Sequence, residues 1–120
     1  MTNEENDCVF CKIVRGEMPC HKIWEDENFL AFADANPVVE DHTLVIPKKH
    51  FSSLSDINEE ICCGYIGAIK ETGKILVKKC NADGFNVALN NGEAAGQVVN
   101  HVHFHIHPRK KGDGLKLSFK

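Results

Sequence analysis

His101-Val-His-Phe-His-Ile-His107 puts a histidine at every second position and an apolar residue in each gap. In an extended strand the side-chain period is two, so His101, His103, His105 and His107 share one face. Val102, Phe104 and Ile106 then turn the other way, into a core. An ordinary half-buried strand also alternates, but its polar side carries a mixture of Thr, Lys, Ser and Glu. A row of imidazoles is different, because imidazole suits proton transfer, metal ligation and nucleophilic attack near neutrality. The stretch reads as a strand that is half core and half site.

Working outward from this strand, the flanking segments give the fold class. Cys8 to Val14 reads as a short helix closed by Gly16. His21–Glu25 and Phe29–Asp34 read as a hairpin across Asp26-Glu27-Asn28. Thr43-Leu-Val-Ile-Pro47 is a β-branched run ended by proline. From Asp56 onward Ile61, Tyr65, Ile69, Thr72, Ile75, Leu76 and Lys79 keep helical spacing, with Ser55 or Asp56 as the cap and the end near Cys80. Phe85–Asn90 is a further strand, and Pro108 closes the histidine strand. About five strands with hairpin-length connections, one long helix and one short helix, give α+β with a mainly antiparallel sheet.

The 120 residues make one domain over 1–120, with 1–7 as a disordered leader and 110–120 as a basic, solvated tail. A hydrophobic content of 42% and a charged content of 26% are those of a globular chain. With a formal charge of −3 there is no positive field to recruit nucleic acid. No segment has the apolar length of a membrane span, and the acidic opening is not a leader peptide. Adjacent Cys62 and Cys63 inside a helical pattern read as reduced thiols, so the expected location is cytoplasmic, or also nuclear in a eukaryote.

Two smaller features border the histidine strand. Gly92-Glu-Ala-Ala-Gly96-Gln97-Val98 is a glycine-bearing loop just before it, and successive free N–H groups there would make an anion cradle. Most such loops are simply turns. Cys8-x-x-Cys11 has the spacing of a two-thiolate zinc clip, but a pair alone is equally two buried helix cysteines.

The run Gly96-Gln-Val-Val-Asn-His-Val-His-Phe-His-Ile-His-Pro-Arg109 resembles the signature of the histidine-triad (HIT) superfamily, in which alternating histidines follow a Gly-Gln loop. Cys8 to Gly16, Ile23 to Asp34 and His42 to His50 match as well, so the likeness covers nearly the whole chain. The short length is similar to the Hint-like branch and its zinc-bearing bacterial and protozoal relatives. The resemblance implies a HIT-like fold paired into a two-fold homodimer. It also implies hydrolysis at the α-phosphorus of purine nucleoside 5′-phosphoramidates, or related nucleotidyl conjugates, through a nucleotidyl-histidine intermediate. Two alternatives stand beside this: a dinucleoside polyphosphate hydrolase, and a zinc-stabilised nucleotide-binding scaffold whose hydrolysis is incidental.

Carried over by position, His101, His103 and His105 are the catalytic triad, with His103 the nucleophile. A neutral imidazole attacks phosphorus only if one nitrogen is unprotonated, and a backbone carbonyl on the other nitrogen would fix that tautomer. His105 would hydrogen-bond a phosphoryl oxygen or the leaving atom. Backbone groups of Gly96, Gln97 and Val98 would hold the phosphate, Asp34 the ribose hydroxyls and Asn90 the sugar–phosphate. Phe10, Ile13, Phe32 and Leu44 resemble walls around the base, and His42 a fourth histidine beside the triad. Without the resemblance, Asp34 reads equally as a strand-terminal acid capping the next turn. Zinc-bearing relatives complete Cys8 and Cys11 with His50 and His101, a closed structural Zn²⁺ set. Two positions depart from the pattern: Val98 stands where Ser or Thr is usual, and His107, where relatives have an apolar residue, reads as a bystander.

Overall fold

The protein, a computed structural model, is described over residues 3–117. Five strands form one sheet in the order β1-β2-β3-β5-β4, each antiparallel to its neighbours: β1 Lys22–Glu25, β2 Phe29–Ala33, β3 Thr43–Pro47, β4 Gly84–Leu89 and β5 Phe104–Arg109. Three helices accompany it, α1 Asn3–Asp7, α2 Val9–Val14 and the 22-residue α3 Glu59–Cys80. The α+β antiparallel architecture expected from the sequence is the one observed.

Strand alternation divides the interior in two. Phe29, Ala31, Val45, Val102 and Ile106 face α3, where Tyr65, Ala68, Ile69 and Leu76 complete one core. Leu30, Phe32, Leu44 and Ile46 face the other way, against Phe10 and the two cysteines at the start of α2. Each side chain fully removed from water here contributes ~1.5–3 kcal/mol, so both layers hold the sheet. The histidine row lies on the α2 side, with His105 opposite Leu44 on β3 and Ala88 on β4.

Local chemistry explains most boundaries. The Asp26 carboxylate accepts from the backbone N–H of Asn28 and of Phe29, both at 2.8 Å, and so shapes the first hairpin. Gly16, at φ +79°, closes α2 as expected. Asn81 in the left-handed conformation ends α3. Gly73 sits where α3 crosses β4 so closely that a Cβ would come within 2.4 Å of the Phe85 ring.

Four sequence expectations need correction. The cap of α3 is Asn58, whose side chain accepts from Ile61 N–H at 3.0 Å; Asp56 caps a separate 3₁₀ turn, Leu54–Asp56, with Ser53. The reason is that the turn supplies its own competing acceptor three residues too early. Ile75 and Lys79 face solvent despite their helical spacing, because the buried stripe of α3 runs through Ala68, Thr72, Gly73 and Leu76. Pro108 lies inside β5, paired with Phe85, instead of closing the strand. The β3 ladder has stopped by then at Ile106, so a missing N–H removes no bond on that side. Finally, Asn3–Asp7 of the expected disordered leader is helical, tied to α2 by Arg15 Nη1 donating to Glu5 O at 3.4 Å. Met1, Thr2 and the tail residues Ser118, Phe119 and Lys120 lie outside the described residues.

Candidate active site

The expected strand over His101–His107 starts three residues late: the chain bends at Val99–His101, the β5 ladder begins only at Phe104, and the segment before it is tied instead by Val102 N–H donating to Phe51 O at 2.8 Å. His103 Nδ1–H donates to the carbonyl of His101 at 2.9 Å. That bond places the proton of a neutral ring on Nδ1 and the lone pair on Nε2. His103 is buried, packs edge-on against Phe10 with centroids 5.2 Å apart, and forms part of the wall of a cavity of about 550 Å³. Phe10, Ile13, Phe32, Leu44, Asp34, His105 and Val98 line the same cavity. The apolar residues assigned to a base pocket and the two central histidines are therefore brought together.

A second chain of hydrogen bonds leads into the cavity from behind. Val38 N–H donates to His42 Nδ1 at 3.3 Å, and His42 Nε2 lies 2.9 Å from His105 Nδ1. Since His42 Nδ1 is accepting, its proton sits on Nε2 and is donated to His105 Nδ1. A neutral His105 then carries its own proton on Nε2. Asp34 Oδ2 is 3.5 Å from His42 Nε2, while its Oδ1 accepts from Asn36 N–H at 2.9 Å. The carboxylate thus caps a turn, as one reading of Asp34 had it, and also borders the cavity.

Burial decides the charge of these rings. It holds His105 down at about 4, with His103 and His107 nearby adding to the effect and Asp34 opposing it. His42 is lowered by the same desolvation, again against the pull of Asp34. At neutral pH the relay is a row of neutral, directional donors rather than imidazolium ions.

The glycine loop departs from expectation. Gly96 N–H is bonded to Glu93 O at 2.9 Å and Gln97 N–H to Gly92 O at 3.1 Å, so neither is free to cradle a phosphate in this geometry. A 3₁₀ turn, Glu93–Ala95, has taken them up. Among the described residues Val98 N–H has no backbone acceptor, and its side chain is exposed. Gln97 braces the loop: Nε2 donates to Ser52 O at 2.6 Å and to Val99 O at 3.0 Å, and Oε1 accepts from Gly92 N–H at 2.8 Å. Gly92 and Gly96, at φ +94° and +96°, need to be glycine. Asn90 Nδ2 packs beside Gly96 and is not part of the cavity wall.

At the other end of the row His101 leaves the cavity altogether. Its ring is fully buried, with Nδ1 3.3 Å from Cys8 Sγ and 3.6 Å from Cys11 Sγ, while Nε2–H donates to Pro47 O at 2.8 Å. His50 Nδ1 approaches Cys11 Sγ at 3.3 Å, and the four ligand atoms all lie within 4.8 Å of one another. A tetrahedral centre with Zn–S near 2.3 Å and Zn–N near 2.0 Å separates its sulfur and nitrogen ligands by ~3.5 Å. The observed spacings match that figure. Burial, with the adjacent Cys8 sulfur, pushes the Cys11 thiol up to about 12, so a cation is what would let that sulfur ionise. Burial also holds His101 down at about 4, which keeps its lone pair available. Cys8, Cys11, His50 and His101 fit a closed structural zinc centre.

His107, read from the sequence as a bystander, lies at the far end of the row. It is buried and packs against His42, with ring centroids 4.3 Å apart and the planes tilted by 35°. The period-two alternation that placed it on this face was the available signal.

The chain matches the HIT domain family over residues 15–112, and it belongs to that family. It is 44% identical over 114 residues to the adenylylsulfatase HINT3 of Arabidopsis thaliana, where the match spans 95% of this chain and 58% of the relative. It is 40% identical to the adenosine 5′-monophosphoramidase HNT1 of Candida albicans, over 93% of this chain and 77% of that one. Among solved structures, a Zn-bound histidine triad family protein from Mycobacterium smegmatis superposes with a TM-score of 0.88 at 42% identity, covering 94% of this chain and 82% of that one.

Proposed function

We propose that the protein hydrolyses purine nucleoside 5′-phosphoramidates, or related nucleotidyl conjugates, at the α-phosphorus through a nucleotidyl-His103 intermediate. The observation that carries this reading is the His103 Nδ1–H bond to the His101 carbonyl, which leaves the Nε2 lone pair for attack in a cavity shared with His105. Attack forms a P–Nε2 bond and expels the amine or other leaving group. His105 Nε2–H hydrogen-bonds the leaving atom or a phosphoryl oxygen, and His42 fixes the tautomer that makes this donor available. Water then attacks phosphorus, the P–Nε2 bond breaks, and the proton that the departing amine took up is restored from that water.

The base lies between Phe10, Ile13, Phe32 and Leu44, and the ribose hydroxyls reach Asp34. Asn90 steadies the loop at Gly96. Val98 supplies a backbone N–H with no side-chain hydroxyl beside it, which weakens any preference that such a hydroxyl gives to the leaving group. The relatives named as an adenosine 5′-monophosphoramidase and an adenylylsulfatase support a nucleotide hydrolase and differ in the leaving group. Zinc at Cys8, Cys11, His50 and His101 is structural, supplying a rigid tether between α2 and the segment entering β5. Phe85, Val87, Ile66 and Ile75 leave an exposed apolar surface at the β4 edge and on α3, consistent with the homodimer. No described helix is long and apolar enough to cross a membrane.

The test is release of AMP from adenosine 5′-phosphoramidate by the wild type and His103→Asn, with a diadenosine polyphosphate as the rival substrate. Turnover that favours the phosphoramidate and vanishes in the variant supports the reading. Folded protein that turns over neither compound sinks it and leaves the scaffold reading in front.

A further inference from the structure

His107 has no part in the reaction proposed above, yet its position is costly to the fold. The ring is 5% exposed, and its Nδ1 is buried with no hydrogen-bond partner among the described residues. An orphaned polar atom costs stability that an apolar side chain at the same point would keep. The ring lies 4.3 Å from the His42 centroid and, at an interplanar angle of 2°, 5.9 Å from that of His105. One ring nitrogen from each of His42, His105 and His107 lies within 4.8 Å of the other two. The Asp34 carboxylate, 3.5 Å from His42 Nε2, directs negative charge at all three rings. The neighbouring cation, Arg109, is held by Asp113 at 2.8 and 2.9 Å and by Asn86 at 2.7 Å.

We propose that His42, His105 and His107 form a second metal site, separate from the cysteine cluster, which takes a late divalent transition cation and switches the active site off when it does. Three imidazole nitrogens with a carboxylate at hand suit Zn²⁺, Ni²⁺ or Cu²⁺ and not Mg²⁺ or Ca²⁺. On binding, three metal–nitrogen bonds form and waters leave the cation. The His42 Nε2–H bond to His105 Nδ1 breaks, and the His42 proton moves to Nδ1 at the expense of the long bond from Val38. No proton or electron leaves the protein. His105 is then held by the metal and no longer set as a donor toward the cavity. The inhibitory half of this inference rests on the proposed hydrolysis; the binding half does not.

The experiment uses zinc-loaded protein with one equivalent retained in the cysteine cluster and loosely held metal washed out. Ni²⁺ is titrated calorimetrically into the wild type and His107→Leu, with AMP release followed in parallel. The wild type should take up one further equivalent, and the variant should bind it at least tenfold more weakly. Ni²⁺ should stop hydrolysis in the wild type, a chelator should restore it, and the variant should keep turning over. Equal Ni²⁺ affinity in the two proteins would overturn the proposal. Should His107→Leu not fold, paramagnetic broadening in the wild type decides: loss of the His42, His105 and His107 ring signals supports the site, whereas broadening centred on exposed His21 refutes it. Absence of hydrolysis before any Ni²⁺ is added would count against the reaction alone, and calorimetry would still judge the site.

Discussion

Replacing His107 by leucine should stabilise the protein, and by more in acid than at neutrality. The side chain is 5% exposed and leaves Nδ1 without a partner, so leucine, of comparable volume, removes an unmet polar group and keeps the packing against His42. That is worth ~1 kcal/mol at pH 7, at the low end of the cost of an orphaned group. Burial, then His42 and Arg109, hold the folded His107 at about 4, against 6.5 for a free ring. Between these values the unfolded chain binds the extra proton, so stability falls as pH drops through the window. Integrating one site from pH 7 to pH 5 gives a loss of ~2 kcal/mol in the wild type that the variant escapes. The expected gap is therefore ~1 kcal/mol at pH 7 and ~3 kcal/mol at pH 5. Urea unfolding at both pH values, at fixed protein concentration and in metal-free buffer with the structural zinc retained, measures it. A variant no more stable than the wild type, with an unchanged pH slope, would refute the reasoning.

Cys11→Ser should lose the bound metal and lower the melting temperature, checked by metal analysis and calorimetry; conversely, adding Zn²⁺ to chelator-stripped wild type at pH 7 should release at least one proton per chain, read in weak buffer, because the Cys11 thiol is held up at about 12 without a cation. His42→Asn should lower kcat on the phosphoramidate by about 10²-fold while KM moves little, since the 2.9 Å bond to His105 orients a donor rather than the substrate. Steady-state kinetics in which KM alone changed would contradict that role. Gly96→Ala should cost ~1–3 kcal/mol, because φ there is +96°, and should raise KM through a displaced loop; unfolding and kinetics on one preparation would show both.

The fold was legible because its strands alternate cleanly. Val102, Phe104 and Ile106 were bound to face a core once the histidines were put on the other side, and the α3 stripe followed from helical spacing. What failed was local competition. Ser53 and Asp56 form a capping pair of their own, which moved the cap of α3 to Asn58. Pro108 looked like a terminator, but its effect depends on where the neighbouring strand ends, and that is a tertiary fact. The same holds for the glycine loop. Small residues predict backbone access, but they do not reveal that a 3₁₀ turn engages the N–H groups of Gly96 and Gln97. For His107 the period-two pattern gave the face, whereas its burial against His42 is a tertiary fact.

The two ends of the histidine row do different work because of what each imidazole can reach. His101 engages three polar groups in three directions: Nδ1 toward the two sulfurs, Nε2–H to Pro47 O, and its carbonyl to His103 Nδ1–H. The first two immobilise the ring, and the third passes that rigidity to the neighbouring side chain whose tautomer decides whether Nε2 is nucleophilic. A metal held by Cys8, Cys11, His50 and His101 would thus steady His103, the proposed nucleophile, one carbonyl away. His105, by contrast, depends on His42, which arrives from the start of β3 and is oriented by the Val38 N–H. In the proposed reaction His103 is set from the metal side and His105 from the relay side, so changes on either side should separate in their effects on attack and on leaving-group stabilisation.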